Sequence, residues 1–157
     1  NAMDEAIMRY VRRKHHLVIG EMNAERIKIE AGTALAQSNG RQVEIHIKGR
    51  DLREGRMKEA VLGPQDMAEA LSGCVADMAE FIQRALEDLP PAAAAEVTKW
   101  GIMLTGGGAL LDRLDVALHQ RTGVKFLVPD TPLHCVIRGS AAVLESLPER
   151  EHLLIGP

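Results

Sequence analysis

Three consecutive glycines, Gly106-Gly107-Gly108, constrain the fold of this sequence more than any other feature. An apolar run at residues 102–104 predicts a buried strand that leads into them, and an amphipathic helix pattern beginning at Leu110 follows directly. Glycine permits a tight turn with positive φ and lets a backbone or a flat ligand approach closely. Free N–H groups at a helix start would suit a ribose or phosphate. Because the pattern is neither G-x-G-x-x-G nor a P-loop, the residues alone are equally compatible with a nucleotide site and a structural turn.

The rest of the pattern predicts an α/β protein whose first half combines helices with a β-hairpin and whose second half alternates strands and helices. The hairpin is predicted from alternating apolar residues at 43–47 and a weaker strand at 58–62. An apolar stripe of 3.6-residue period predicts a long core helix at residues 64–89, ended by Pro90-Pro91. Further helices are predicted at residues 7–18, 23–30, 92–99, 110–123 and 132–147, and a last strand at 124–128.

Composition and charge exclude several classes of function. The formal net charge of −3 gives no electrostatic support for nucleic acid as a partner. The apolar stretches are far shorter than the roughly 20 residues that a membrane-spanning helix needs. The six histidines lack the spacing and cysteine partners typical of zinc sites, so no metal site is expected. Cys74 and Cys135 are expected to be buried free thiols.

The N-terminus predicts that the chain is a piece of a longer protein. Asn1-Ala2 before Met3 resembles the remnant of a cleaved expression tag, so the natural residues are expected to start at Met3 or Asp4. A helical pattern begins directly afterwards, with no preceding strand.

Residues 101–111 resemble the adenosine motif of the ATPase superfamily that includes actin, Hsp70 and the sugar kinases. Within that superfamily the chain resembles MreB-type, rod-shape-determining bacterial proteins from residue 4 to about residue 147. Several motifs in a fixed order carry this resemblance. They are Asp4-Glu5-Ala6-Ile7, Tyr10-Val11-Arg12-Arg13, Ile19-Gly20-Glu21, Ala24-Glu25-Arg26-Ile27-Lys28, Gly49-Arg50-Asp51-Leu52 with Gly55, Pro90-Pro91, Pro132-Leu133 and Arg138-Gly139.

The resemblance implies the fold of an actin-like (ribonuclease H-like) C-terminal half, of class α/β. Residues 1–3 would then be the tag remnant and start. Residues 4–72 would form a small outer lobe of helices and a β-hairpin. Residues 73–157 would form the inner lobe, with a mixed sheet, helices and the glycine-rich adenosine motif. The boundary between the lobes is predicted near residues 71–73.

In that family the adenine and ribose lie between the helix with the Glu-Arg-Ile-Lys motif and the glycine turn. The resemblance therefore implies nucleotide binding by Glu25, Arg26, Ile27 and Lys28 on one side, and by Gly106, Gly107, Gly108, Ala109 and Leu110 on the other. Glu25 and Lys28 are three residues apart, so one helix face could offer an acceptor to the ribose hydroxyls and a cation beside the base. Without the resemblance, the same pair also fits a surface ion pair worth well under ~1 kcal/mol.

The resemblance further implies ATP as the cofactor. Mg²⁺ and the phosphates would be held by an N-terminal part with two glycine-rich hairpins, which this sequence lacks. The longer protein is expected to be a slow ATPase, whereas this chain alone is expected to be inactive and to hold no catalytic residue. The implied partners are other filament subunits and the cell-wall elongation machinery. The implied location is the cytoplasm at the inner face of the cell membrane, with no membrane contact through this part.

Two alternatives remain open at this point. One is a fragment of an Hsp70-like chaperone or a sugar-kinase-type ATPase of the same superfamily, and the other is an interaction module that binds no nucleotide. The outer lobe distinguishes them, since MreB-type proteins have a small one, as residues 4–72 would give, whereas chaperones append a substrate domain.

Overall fold

The structure is a computed structural model that describes residues 1–36 and 42–145. These residues form six helices and five strands, with two 3₁₀ turns at Gly107–Leu110 and Pro132–His134. The last two residues of the helix predicted at 132–147 lie outside the described part. In chain order the elements are α1 (Ala2–His15), β1 (Leu17–Val18), α2 (Glu21–Ala31), β2 (Ile45–Asp51), β3 (Met57–Leu62), α3 (Pro64–Glu87), α4 (Pro91–Trp100), β4 (Ile102–Met103), α5 (Leu114–Thr122), β5 (Phe126–Leu127) and α6 (Cys135–Glu145).

The first helix is shorter at its C-terminal end than its apolar period predicts. The α1 helix ends at His15, and His16 adopts the left-handed conformation with a φ of 56°. Leu17 and Val18 then form a strand that pairs with Asp51 and Arg50 of β2. The predicted helical continuation to Val18 is therefore wrong, because pairing with the sheet edge satisfies the backbone of these two residues instead.

The predicted antiparallel hairpin is confirmed, with its first strand shifted along the sequence. Strands β2 and β3 pair from Ile45↔Leu62 to Arg50↔Met57, and β1 adds to the other edge of β2. Side chains along β2 are alternately buried and exposed, as expected for a sheet with one face on the core. Gly49 occurs where β1 approaches closely, since a Cβ there would lie 2.9 Å from the carbonyl oxygen of Val18.

The long helix α3 organises the core. It packs against α1 and α5, and its buried face consists of Met67, Leu71, Val75 and Ala79. Beyond Ala79 the predicted stripe is less buried: Ile82 is only partly buried against the core, and Phe81 is 74% exposed. The helix runs without a break through the predicted lobe boundary at residues 71–73. A single cluster of buried residues joins Ile7, Leu71 and Leu118, so the two predicted lobes share one core.

In the second half, strand β4 pairs in parallel with β5 in a separate two-stranded sheet. The chain that follows the glycine run differs from the prediction. The predicted helix from Leu110 is wrong in its start, because a four-residue 3₁₀ turn comes first and α5 begins only at Leu114. Arg113 adopts the left-handed conformation with a φ of 63°, which separates the two elements. The two cysteines are free, as predicted, but only partly buried.

Candidate functional site

Helix α2 forms one wall of a cleft, and its packing determines which side chains face that cleft. Ala24, Ile27 and Ala31 are buried against the core at the helical spacing of three and four residues. Glu25, Lys28 and Ile29 occupy other positions around the helix and line the cleft. The core contacts of α2 therefore present a carboxylate, an ammonium group and an apolar side chain on one side.

The glycine turn forms the opposite wall, and its three glycines have different roles. Gly106 has a φ of 78°, a conformation that side-chain-bearing residues rarely adopt. Its N–H donates to the carbonyl oxygen of Pro132 at 2.9 Å, which attaches the turn to the second 3₁₀ turn. Gly107 and Gly108 have ordinary φ values and line the cleft. A Cβ at Gly108 would meet nothing within 4 Å, and one at Gly107 would meet only Leu133, at 3.7 Å.

A buried clamp fixes the two walls relative to each other. Oγ1 of Thr33, just after α2, lies within hydrogen-bond distance of the carbonyl oxygen of Leu35, at 2.9 Å, and of a carboxylate oxygen of Asp112, at 3.0 Å. The N–H of Ala34 donates to the backbone carbonyl oxygen of Asp112 at 2.8 Å. Thr33 is fully buried, so these hydrogen bonds are shielded from competition by water. The spacing between α2 and the glycine turn is thus determined by the fold of the chain.

The cleft between these walls has a volume of about 810 Å³, within the size range of small-molecule sites. Most of its surface is apolar, with charged groups from Glu25 and Lys28. Apolar walls can hold a flat base, and a carboxylate can accept hydrogen bonds from ribose hydroxyls. The lining residues are Asn1, Met3, Glu25, Lys28, Ile29, Gly107, Gly108, Leu110, Leu111 and Leu133.

The structure brings together five of the nine site residues predicted from the sequence. Those lining the cleft are Glu25, Lys28, Gly107, Gly108 and Leu110. Gly106 precedes the turn, and Ala109 is buried beneath it.

Arg26 and Ile27 are placed elsewhere. Arg26 forms an ion pair with Glu30 at 3.0 Å, and Ile27 is part of the core. Four consecutive residues point in different directions around a helix, so only some of them can face the cleft. Here Glu25 and Lys28, the first and last of the motif, do so.

Lys28 is paired electrostatically across the helices. Its Nζ lies 2.7 Å from Oδ1 of Asp4, in the first turn of α1. The side chains of Lys28 and Asp4 are 16% and 5% exposed. Burial opposes ionisation of Asp4, but Lys28 and the N-terminal amine outweigh it, so the pKa of Asp4 is lowered. Lys28 thus forms its ion pair with Asp4. It does not form the surface ion pair with Glu25 that the sequence alone also allowed.

Several residues of the site were missed by reasoning from sequence. Ile29 could have been found, because it lies four residues after Glu25 and so shares its helix face. Leu133 belongs to the Pro132-Leu133 motif, but nothing in the sequence placed that motif beside the glycine turn. Asp4 gave no local signal, since it lies 24 residues before Lys28 and they meet only through the packing of α1 on α2.

The described residues contain no group of three or more His, Cys, Asp or Glu side chains arranged to hold a metal ion. Among the same residues, no helix is long and apolar enough to cross a membrane.

The α/β architecture, with a cleft between a helix and a glycine turn, is that of an actin-like protein. The sequence profile of the MreB/Mbl protein family matches residues 1–152, and the chain belongs to this family. It is 41% identical over 144 residues to the cell shape-determining protein MreB of Escherichia coli K12. It is 36% identical over 151 residues to the cell shape-determining protein Mbl of Bacillus subtilis.

These matches cover 92% and 94% of the chain but only 41% and 45% of the relatives. The chain therefore spans less than half the length of the curated relatives it matches. Membership of the MreB/Mbl family does not favour the chaperone, sugar-kinase or non-nucleotide alternatives.

Solved structures agree with this assignment. Spiroplasma citri MreB5 bound to ADP superposes with a TM-score of 0.87 at 26% identity, over 97% of this chain and 46% of that one. The same protein bound to AMPPNP also gives a TM-score of 0.87, at 27% identity, over 98% of this chain and 46% of that one. The MamK double helical filament shares the fold, with a TM-score of 0.72 at 18% identity over 91% of this chain and 43% of that one.

Proposed function

We propose that the chain is part of a bacterial actin homologue that binds ATP between its domains and polymerises into cytoskeletal filaments. In this proposal the filaments determine rod cell shape and direct cell-wall elongation, and the chain contributes the adenosine side of the nucleotide site. Support comes from the relatives named as cell shape-determining proteins and from the neighbouring structures that contain ADP and AMPPNP.

The observation that carries the nucleotide proposal is the open space at Gly107 and Gly108. Gly106 is explained by its positive φ, but the internal packing does not require glycine at position 108. A glycine that the fold does not need, facing a largely apolar cleft, is accounted for by a ligand that lies against the backbone. The facing carboxylate of Glu25 supplies an acceptor suited to ribose hydroxyls.

Substitution of Gly108 tests this proposal. Gly108→Val adds a side chain at a cleft position where a Cβ meets nothing within 4 Å. We expect the melting temperature to change little and the binding of adenine nucleotides to be lost. Binding to the 157-residue chain can be measured from amide chemical-shift changes during titration with AMP.

The matched control is Gly73→Val, on the exposed side of α3, where a Cβ also meets nothing within 4 Å. This variant should bind AMP like the parent chain. Undiminished binding by Gly108→Val would remove the glycine turn from the site.

We further propose that the longer protein is a slow ATPase and that this chain alone is inactive. Phosphoryl transfer depends on Mg²⁺ and on accurate placement of the phosphates, and the described residues offer no acidic cluster for a metal. Contacts to base and ribose alone should give weak affinity, about millimolar (~4 kcal/mol).

A turnover assay with ATP and Mg²⁺ on the 157-residue chain should therefore give no activity above background. Activity that survives further purification and disappears in Glu25→Ala would place catalytic groups within this chain and contradict the proposal.

The proposed partners are further subunits of the same protein and the cell-wall elongation machinery. The MamK neighbour is a filament, which supports self-association as a property of this fold. The proposed location is the cytoplasm at the inner face of the cell membrane, with membrane contact made by another part of the longer protein. Co-purification of wall-synthesis proteins with the full-length protein would test the partnership.

A further inference from the structure

Asp4 stands out because it is nearly buried, is charged, and touches the site without lining it. Its side chain is 5% exposed, and its Oδ1 lies 2.7 Å from Nζ of Lys28, which does line the cleft. In this chain its other oxygen accepts a hydrogen bond at 3.2 Å from the N-terminal amine of Asn1, but Asn1 is expected to be a tag remnant, so the role proposed below depends on the pair with Lys28 alone. A buried carboxylate needs such compensation, because an unpaired buried charge is strongly unfavourable.

The packing of α1 holds Asp4 in place. Asp4 lies in the first turn of this helix. Its neighbours Ile7 and Tyr10 anchor the helix in the core. The carboxylate therefore offers a fixed contact point to a lysine that comes from a different helix.

Lys28 needs such a contact point if its ammonium group is to act at the cleft. A lysine side chain is flexible, and immobilising it costs rotamer entropy. The ion pair with Asp4 orders the side chain before any ligand binds. The N–H groups of the ammonium can then donate to acceptors on a ligand.

We propose that Asp4 is a positioning residue for the nucleotide cleft, which holds the Lys28 ammonium group at the cleft wall so that it can donate hydrogen bonds to an adenine nucleotide. This inference rests on the proposed nucleotide-binding function. It predicts that affinity depends on a residue that does not touch the ligand, and that this dependence operates only through Lys28.

The sign of the effect distinguishes positioning from simple charge. Asp4→Asn removes a negative charge near the cleft, which by electrostatics alone should strengthen the binding of an anionic nucleotide. If Asp4 positions Lys28, the same substitution should weaken binding. The loss of one charge-assisted hydrogen bond corresponds to roughly a tenfold lower affinity.

The experiment is a double-mutant cycle on the 157-residue chain, with AMP as the probe and amide chemical shifts as the readout. Asp4→Asn and Lys28→Met should each weaken AMP binding by roughly tenfold, and the double variant should bind no more weakly than either single variant. Glu30→Gln is the matched control, because Glu30 pairs with Arg26 on the same helix but outside this cleft. It should leave AMP affinity unchanged.

Each alternative outcome has a distinct meaning. Unchanged or tighter AMP binding by Asp4→Asn, or losses that add in the double variant, would overturn the positioning role and leave the nucleotide function intact. Absence of AMP binding in the unmodified chain would refute the adenosine contacts proposed for this chain, and this inference with them. If Asp4→Asn does not fold, Asp4→Glu replaces it, because the longer side chain displaces the carboxylate while keeping its charge; wild-type affinity in that variant would also overturn the role.

Discussion

The helices of the first half and those near the end of the described chain differ in what their apolar faces contact. Helices α1 and α3 bury their apolar faces in the shared core. Helices α4 and α6 contribute no buried residue, and Val136 and Ile137 of α6 are 78% and 68% exposed. Yet α6 is as clearly amphipathic in sequence as α3.

The difference shows that an apolar period in the sequence identifies the apolar face of a helix, but does not show what packs against that face. Burial needs a second surface, and α3 has α1 on one side and α5 on the other. The described contacts of α6 are mainly with the preceding 3₁₀ turn, including a hydrogen bond of 3.1 Å from Arg138 to Thr131 Oγ1. The two regions should therefore contribute very unequally to stability.

Alanine substitutions in the two regions should show the largest contrast. Leu71→Ala removes a fully buried side chain from the core, and should lower the free energy of unfolding by roughly 2–5 kcal/mol through lost burial and a cavity. Ile137→Ala removes a mostly exposed side chain and should change it by less than about 0.5 kcal/mol. Urea unfolding followed by circular dichroism measures both values.

The control for this contrast is protein concentration. If α6 packs against a second copy in solution, the effect of Ile137→Ala will grow as the concentration of the chain is raised. A large effect that is independent of concentration would instead mean that α6 is buried within the chain, which would break the comparison.

The sequence predicted the strongly periodic parts of this fold well and the short elements poorly. Helix α3 and the β2–β3 hairpin were found because long apolar periods and alternation carry a clear signal. Leu17–Val18 was assigned to a helix because two residues are too few to show a strand period. Its pairing partner lies more than 30 positions away, at Arg50 and Asp51.

The candidate site was likewise predicted well where a motif is present and poorly where the element is short. The glycine turn and the Glu25–Lys28 pair were predicted from motifs, and the structure places them around one cleft. The short turn Gly107–Leu110 was taken for a helix start, because Leu110, Leu111 and Leu114 follow a helical spacing. The left-handed residue Arg113, which separates that turn from α5, is of a type that rarely adopts this conformation.

Acid should destabilise the first half through Asp66, which joins α1 to α3. Asp66 accepts hydrogen bonds from Tyr10 at 2.7 Å, Lys14 at 2.9 Å and the N–H of Gly63 at 2.9 Å. Burial opposes its ionisation, but these donors prevail and lower the pKa of Asp66 from 3.8 to about 2. Because the folded-state pKa is the lower one, the stabilisation is present above pH ~4 and is lost as the pH falls towards 2.

The expected loss is about 2 kcal/mol, since each pKa unit corresponds to about 1.4 kcal/mol. Asp66→Asn isolates this contribution from those of other carboxylates. The variant should be less stable than the parent chain at pH 7, and the difference should shrink between pH 4 and pH 2. A difference that stays constant over that range would show that Asp66 does not titrate with a lowered pKa.

A small stabilising effect is expected at Gly73, which lies at the predicted lobe boundary but within the continuous helix α3. A Cβ at this exposed position meets nothing within 4 Å. Alanine has a higher helix propensity than glycine, so Gly73→Ala should raise the free energy of unfolding by roughly 0.5–1 kcal/mol. If residues 71–73 instead form a flexible joint between two lobes, stiffening the helix should also alter how the two cleft walls meet. AMP titration of Gly73→Ala therefore separates the two cases: unchanged affinity with increased stability is expected for a rigid α3, whereas altered affinity would identify the boundary as a hinge.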